Sequence, residues 1–131
     1  MTEFFMPIMP PTVTAQQHKV TTRSGKPVFY DTPEIRNAKD LLMGSMFPFV
    51  PEEPYKCAVR LTTKWLFPKG NHCDGAYKAT KPDTDNLQKM LKDCMTRMGF
   101  WKDDALVASE IIEKFWANTP GIYVRIEELE V

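Results

Sequence analysis

Between Lys56 and Phe67 the chain alternates with a strict period of two. Cys57, Val59, Leu61, Thr63, Trp65 and Phe67 fall on one side, and Ala58, Arg60, Thr62, Lys64 and Leu66 on the other. Side chains of an extended chain alternate across its axis, so this pattern predicts a strand with one core face and Arg60 and Lys64 on the opposite face. After Pro82 the period changes. Leu87, Met90, Leu91, Cys94, Met95 and Met98 recur at three- and four-residue steps, which predicts a helix with an apolar stripe. Gly99 stands where a helix stop is expected, and Arg97 in the last turn suits the helix dipole. Asp83 and Asp85 are both able to cap its start; with Asp85 as N-cap, Gln88 falls at the third helical position of a capping box.

The other elements are punctuated by proline and glycine. Residues 3–9 predict a short first strand, with Pro7 favouring a sheet edge. Pro10-Pro11-Thr12 ends it, and Val13 to Phe29 reads as a basic loop carrying His18, Lys19, Arg23 and Lys26. Thr32-Pro33-Glu34 is a helix start, with threonine at the N-cap and proline at the first helical position. Ile35, Ala38, Leu42 and Met46 supply its apolar stripe, and the helix is expected to run to about Met43. Ala105 to Trp116 and Ile122 to Leu129 predict two further strands around a turn at Asn118-Thr-Pro-Gly121. This order predicts an α/β fold of the α+β type: one domain over residues 1–131, a mixed β-sheet with two main helices packed on it.

Composition agrees with that architecture. A chain of 131 residues, 43% hydrophobic and 26% charged, can bury a core of its own and is not of a disordered class. The net charge is zero, but the charges are segregated. Residues 56–102 hold ten Lys/Arg against four Asp, whereas from Asp103 onward seven acids face only Lys114 and Arg125. A basic middle around a few carboxylates fits a protein that grips a phosphate backbone. The odd number of cysteines, Cys57, Cys73 and Cys94, predicts a reducing compartment, with Cys57 and Cys94 as small buried hydrophobes. His72-Cys73-Asp74 has no second ligand pair at zinc spacing. The Phe4-Phe5-Met6 run is cut short by Pro7, so no leader or membrane span is expected and the cytoplasm is the default location.

The chemistry concentrates in Lys81-Pro-Asp-Thr-Asp-Asn-Leu-Gln-Lys89. Two carboxylates one residue apart in an extended lead-in point to the same side, and a cap uses only one of them. Lys89 sits four residues after Asp85, on the same helix face one turn in. Two hard oxygen donors beside a lysine suit Mg²⁺ and a phosphate. A well-capped helix with a surface Asp–Lys pair would use the same residues.

Asp83-Thr-Asp-Asn-Leu-Gln-Lys89, then a helix, then Gly99-Phe-Trp-Lys-Asp-Asp104, resembles the signature of the RusA-type Holliday junction resolvases. That family carries Asp-x-Asp-Asn-Leu-x-Lys at a helix start and an Asp-Asp pair just before a strand. The resemblance covers roughly residues 6–130, and its specific motifs lie within 81–107. It implies that Asp83, Asp85 and Asp104 are the metal-binding carboxylates, that Mg²⁺ is the cofactor, and that Lys89 is the catalytic or phosphate-contacting lysine. The choice of Asp104 over Asp103 rests on the family spacing. Many relatives have an asparagine just after the Pro-Pro-Ser step, where Val13-Thr14 stands here.

The same resemblance implies an activity: an Mg²⁺-dependent endodeoxyribonuclease that resolves four-way DNA junctions in recombination and repair. Two strands must be cut, so a homodimer with two sites is implied. Lys19 and Arg23 in the first loop, and Lys64, Lys69, Lys78 and Lys81 around the motif, are the candidate DNA contacts, with Tyr77 as an aromatic neighbour. Two other readings use the same residues: a catalytically inactive branched-DNA-binding module, and a nuclease for flaps or other branched DNA.

Overall fold

A computed structural model describes residues 1–13, 19–23 and 26–129, with the backbone alone at 19–23 and 26–30. Its elements in chain order are β1 (Thr2–Met6), β2 (Lys19–Arg23), β3 (Lys26–Tyr30), α1 (Pro33–Met46), β4 (Val59–Pro68), α2 (Thr84–Met98), β5 (Val107–Ala117) and β6 (Gly121–Glu128). The main sheet has the order β1-β6-β4-β5. β6 pairs antiparallel with β1 and β4, whereas β4 and β5 are parallel. A parallel pair needs a crossover, and α2 supplies it. The expected mixed sheet with two main helices is therefore present.

Period-two patterning decides which face of the sheet is buried. Val59, Leu61, Thr63, Trp65 and Phe67 of β4 all lie in the core with Ile122, Val124 and Ile126 of β6 and Phe4 and Met6 of β1. Leu87, Met90, Leu91, Cys94 and Met95 of α2, with Ile35, Leu42 and Met46 of α1, close that core from one side. The opposite face carries polar ladders. Arg60 donates to Ser109 at 3.0 Å and pairs with Glu127, Arg125 pairs with Glu127, and Tyr123 bonds Glu3.

Several boundaries differ from the sequence expectation, each for a physical reason. β1 stops at Met6 rather than at residue 9, because Pro7 has no N–H to continue the ladder. The segment read as a loop from Val13 to Phe29 contains the antiparallel β2–β3 pair; His18 lies outside the described residues. α1 begins as read, with the Thr32 side chain accepting from the Ile35 amide, but runs on to Met46, whose buried side chain anchors an extra turn. β4 begins at Val59, so Cys57 lies before it, partly exposed with its Sγ 3.7 Å from Glu128, and is not a core thiol. Cys94 is, and burial pushes its thiol up to about 11.

α2 starts at Thr84 with Asp83 as N-cap, not Asp85. Gln88 makes no capping box. It is buried, and its Oε1 accepts from Thr63 Oγ1 at 2.8 Å, while Thr63 accepts from Trp65 Nε1 at 3.0 Å. That chain ties the first turns of α2 to β4. The helix ends at Gly99, whose φ of 91° is left-handed and whose amide donates to the Met95 and Thr96 carbonyls. A Cβ there would meet no heavy atom within 4 Å, so the cost of substitution is backbone strain alone. Gly99→Ala is accordingly expected to lose about 1–2 kcal/mol of unfolding free energy, read from denaturant midpoints.

Candidate active site

The lead-in to α2 is held from both sides. Pro82 is buried, and the carbonyls of Thr80 and Pro82 both accept from Lys114 Nζ, at 2.6 and 2.7 Å. Asp83 follows in extended geometry (ψ 146°), and its backbone carbonyl accepts from the Leu87 amide at 3.1 Å. Its side chain makes no cap hydrogen bond. Asp85 lies exposed in the first turn. Among the described residues neither carboxylate is used in a hydrogen bond or ion pair, and both sit at the positive end of the helix dipole. Two free carboxylates at a helix N-terminus form an oxygen-donor pair suited to a hard divalent cation.

Lys89 occupies the next turn of the same exposed stripe. Its side chain is 63% exposed, and its Nζ lies 4.0 Å from Asp93, at the outer limit of an ion pair. A contact that long between exposed groups contributes little to stability and leaves the ammonium available.

Asp104 lies elsewhere. β5 runs back antiparallel to α2: Glu110 pairs with Lys92 at 2.8 Å, and Lys114 reaches Pro82. The start of β5 therefore lies at the C-terminal end of α2. There Asp104, in a 3₁₀ turn over Asp104–Leu106, lines a shallow depression with Lys39, Asp93, Thr96 and Arg97. At 1.5 Å of rise per residue, the step from Asp85 to the Asp93–Arg97 end is about 12–18 Å. Among the described residues no three His, Cys, Asp or Glu side chains come together as a metal cluster. Within one chain Asp104 stands at the opposite end of α2 from Asp83 and Asp85, because the return strand begins there. Asp103 is committed locally: its Oδ1 accepts from the Ala105 amide at 2.9 Å.

The candidate DNA contacts are scattered. Lys81 is exposed one residue before Pro82, and Lys64 lies on the open sheet face with its Nζ 5.7 Å from the Tyr123 ring centroid. Lys69 follows β4, its amide bonded to the Ala117 carbonyl. Lys19 and Arg23 lie on β2. Lys78 differs from the rest. It is 9% exposed, lies over the rings of Trp116 (4.3 Å) and Phe67 (5.1 Å), and donates to Thr80 Oγ1. Burial, with the Lys114 charge adding to it, lowers its pKa. Tyr77 beside it is exposed, stacked on Phe115 with centroids 4.8 Å apart, and its hydroxyl donates to Glu113, which raises the phenol's pKa.

Sequence reasoning overlooked Lys114. A signal was present: Lys114 falls in register with Ile112 and Trp116, on the side of β5 that faces the helix layer. A lysine at such a position needs partners, and here they are two backbone carbonyls.

Comparison with known proteins agrees with the motif. The family model described as Endodeoxyribonuclease RusA matches residues 9–127. A crossover junction endodeoxyribonuclease, rusA, of Lactococcus phage r1t is 31% identical over 108 residues, covering 80% of this chain and 79% of the relative. An uncharacterized protein, YqaN, of Bacillus subtilis (strain 168) is 38% identical over 50 residues, 38% of this chain and 34% of that protein. With the Asp83–Lys89 motif at the mouth of α2 and a match spanning nearly the whole chain, this protein belongs to the RusA family and is an endodeoxyribonuclease.

Proposed function

We propose that residues 1–131 form one endonuclease domain that acts as a homodimer, cutting four-way DNA junctions with Mg²⁺ held by Asp83, Asp85 and Asp104. One observation carries the dimer part of this reading: the free carboxylates of the motif lie at opposite ends of α2. Asp85, Lys89, Asp93 and Arg97 mark a single surface stripe between those ends. A two-fold axis crossing that stripe near its middle would run two α2 helices antiparallel. Asp104 of the second copy would then stand near Asp83 and Asp85 of the first, and the reverse. Two equivalent sites result, as paired cuts in a junction require.

The donor set fits the ion. Hard carboxylate oxygens, unused by local hydrogen bonds, suit Mg²⁺, which takes only a few protein ligands and keeps its remaining waters. When bound, Mg²⁺ supplies Lewis-acid stabilisation of the charge that builds on the phosphate. Lys89, one turn from Asp85, sets a positive charge against the scissile phosphate or the leaving oxygen. Lys81 and Lys64, with Lys19, Arg23 and Lys69, contribute sequence-independent attraction for the DNA backbone. Lys78 contributes charge from beneath the surface only.

The test is cleavage of an end-labelled four-way junction beside a linear duplex of the same sequence, in Mg²⁺ or in EDTA. The expected result is a pair of symmetric nicks in the junction alone, absent in EDTA. Cleavage of flaps in preference to junctions would replace the substrate, and tight junction binding without cutting under any divalent metal would leave a binding module.

A further inference from the structure

We propose that Lys114, on the edge strand β5, is a positioning residue that aims the Asp83–Asp85 carboxylates; this rests on the reading of those carboxylates as metal ligands. The two carbonyls that accept from its ammonium, Thr80 and Pro82, lie on either side of Lys81 and immediately before Asp83. Among the described residues the Asp83 side chain has no hydrogen-bond partner, so the direction of its carboxylate follows from the direction of its backbone. That backbone is set by Lys114 from one side and by the first turn of α2 from the other.

The rest of the connection from β4 to α2 is built to deliver residues 80–82 to Lys114. Gly75 and Lys78 donate backbone N–H groups to the carbonyls of Trp116 and Lys114 at 2.7 and 3.0 Å, and Trp116 donates to Ala76 at 2.8 Å. Residues 75–78 are thereby stitched antiparallel along the end of β5, with Tyr77 opposite Phe115. Lys78 Nζ then donates to the Thr80 hydroxyl while lying over the Trp116 ring, 4.3 Å from its centroid. Two lysines thus hold one threonine, Lys78 at the hydroxyl and Lys114 at the carbonyl. Burial and the nearby Lys114 charge both disfavour the charged form of Lys78, which makes this a costly way to secure a surface loop, since an apolar side chain would pack there at lower cost. The arrangement is accounted for if the orientation of the next residues matters more than the stability of the loop.

The discriminating variant is Lys114→Met, which keeps the stem and removes the donors, beside Lys114→Arg, which keeps a cationic donor. Lys114→Met is expected to lower kcat for junction cleavage about 10- to 100-fold, the range found when outer supports of metal ligands are lost, and to raise the Mg²⁺ concentration giving half the maximal rate. Its Kd for the junction in EDTA should stay within about two-fold of wild type, because the ammonium is occupied by carbonyls and not by DNA. Lys114→Arg should recover part of the rate. Independently of activity, amide hydrogen exchange in metal-free protein should accelerate over residues 79–87 in Lys114→Met and stay unchanged in β4 and β6.

Wild-type kcat and Mg²⁺ dependence in Lys114→Met would overturn the proposal. So would a loss traced wholly to weaker junction binding, which would make Lys114 a DNA contact. If the wild-type protein itself cut no junction, the proposed function would fail first. The exchange measurement would still decide whether Lys114 orders the lead-in, with unchanged exchange counting against it.

Discussion

Asp85→Asn is expected to lower the rate of junction cleavage by about 10³-fold or more while leaving junction binding in EDTA intact. The substitution keeps the shape of the side chain and removes only its charge. Among the described residues the Asp85 carboxylate makes no hydrogen bond or ion pair, so the helix start, which depends on the Asp83 carbonyl and on the Gln88–Thr63 bond, has no reason to change. On the proposed reading what is lost is a metal ligand, and Lewis-acid stabilisation of a phosphoryl transfer amounts to several kcal/mol, hence about three decades in rate. Asp104→Asn should match it in size despite lying at the other end of α2, whereas Asp103→Asn should be mild on activity, because Asp103 only caps the 3₁₀ turn. Single-turnover cleavage at saturating Mg²⁺ and protein reads all three. A wild-type rate in Asp104→Asn would remove that residue from the site.

The second large effect is expected at Lys89. Lys89→Ala should reduce kcat about 10²- to 10³-fold, the usual cost of removing one fixed charge or donor aimed at a developing oxyanion. Stability should scarcely respond, since the side chain is mostly exposed and its contact with Asp93 is 4.0 Å long. Alanine is also a good helix former, so α2 gains what little it loses. Lys89→Arg should retain part of the activity, because it keeps the charge but spreads it over a larger, planar group. The distinguishing readout is the rate at saturating protein compared with Kd. If Lys89→Ala changed only Kd and its salt dependence, Lys89 would be a backbone contact like Lys81, with no part in the chemical step.

Much of this was legible in the residues. The alternation from Val59 to Phe67 marked β4 and its buried face, and Thr32-Pro33 and Gly99 marked one helix start and one helix stop, because each depends on local chemistry. The motif and its family were readable for a similar reason: spacing along a helix start is a one-dimensional property. What escaped depends on where distant segments meet. Asp83 and Asp85 were equivalent as caps until β4 offered Thr63 to Gln88 and set the helix phase. Lys78 read as a basic loop residue, and only the pairing of residues 75–78 with the end of β5 drew it under Trp116. Lys114 was one charge in an acidic tail until its carbonyl partners were known. That Asp104 stands beside Asp93 and Arg97, at the other end of α2 from Asp83, was likewise not readable, because it follows from the crossover β4–α2–β5 sending the chain back along the helix.

The proposed division of the site between two chains has a consequence that no single variant reveals. Asp85→Asn and Asp104→Asn are each expected to be inactive. In a dimer of one with the other, one site has lost both carboxylates and the second site is intact. The most direct measurement is therefore junction nicking by an equimolar, co-refolded mixture of the two inactive variants. If sites are shared across the two-fold axis, half of the dimers are mixed and each carries one working site, so nicking should return to about a quarter of the wild-type rate, one strand per junction. If the mixture stays as inactive as its components while the wild type cuts, Asp83, Asp85 and Asp104 serve within one chain or not together at all, and the shared site is wrong.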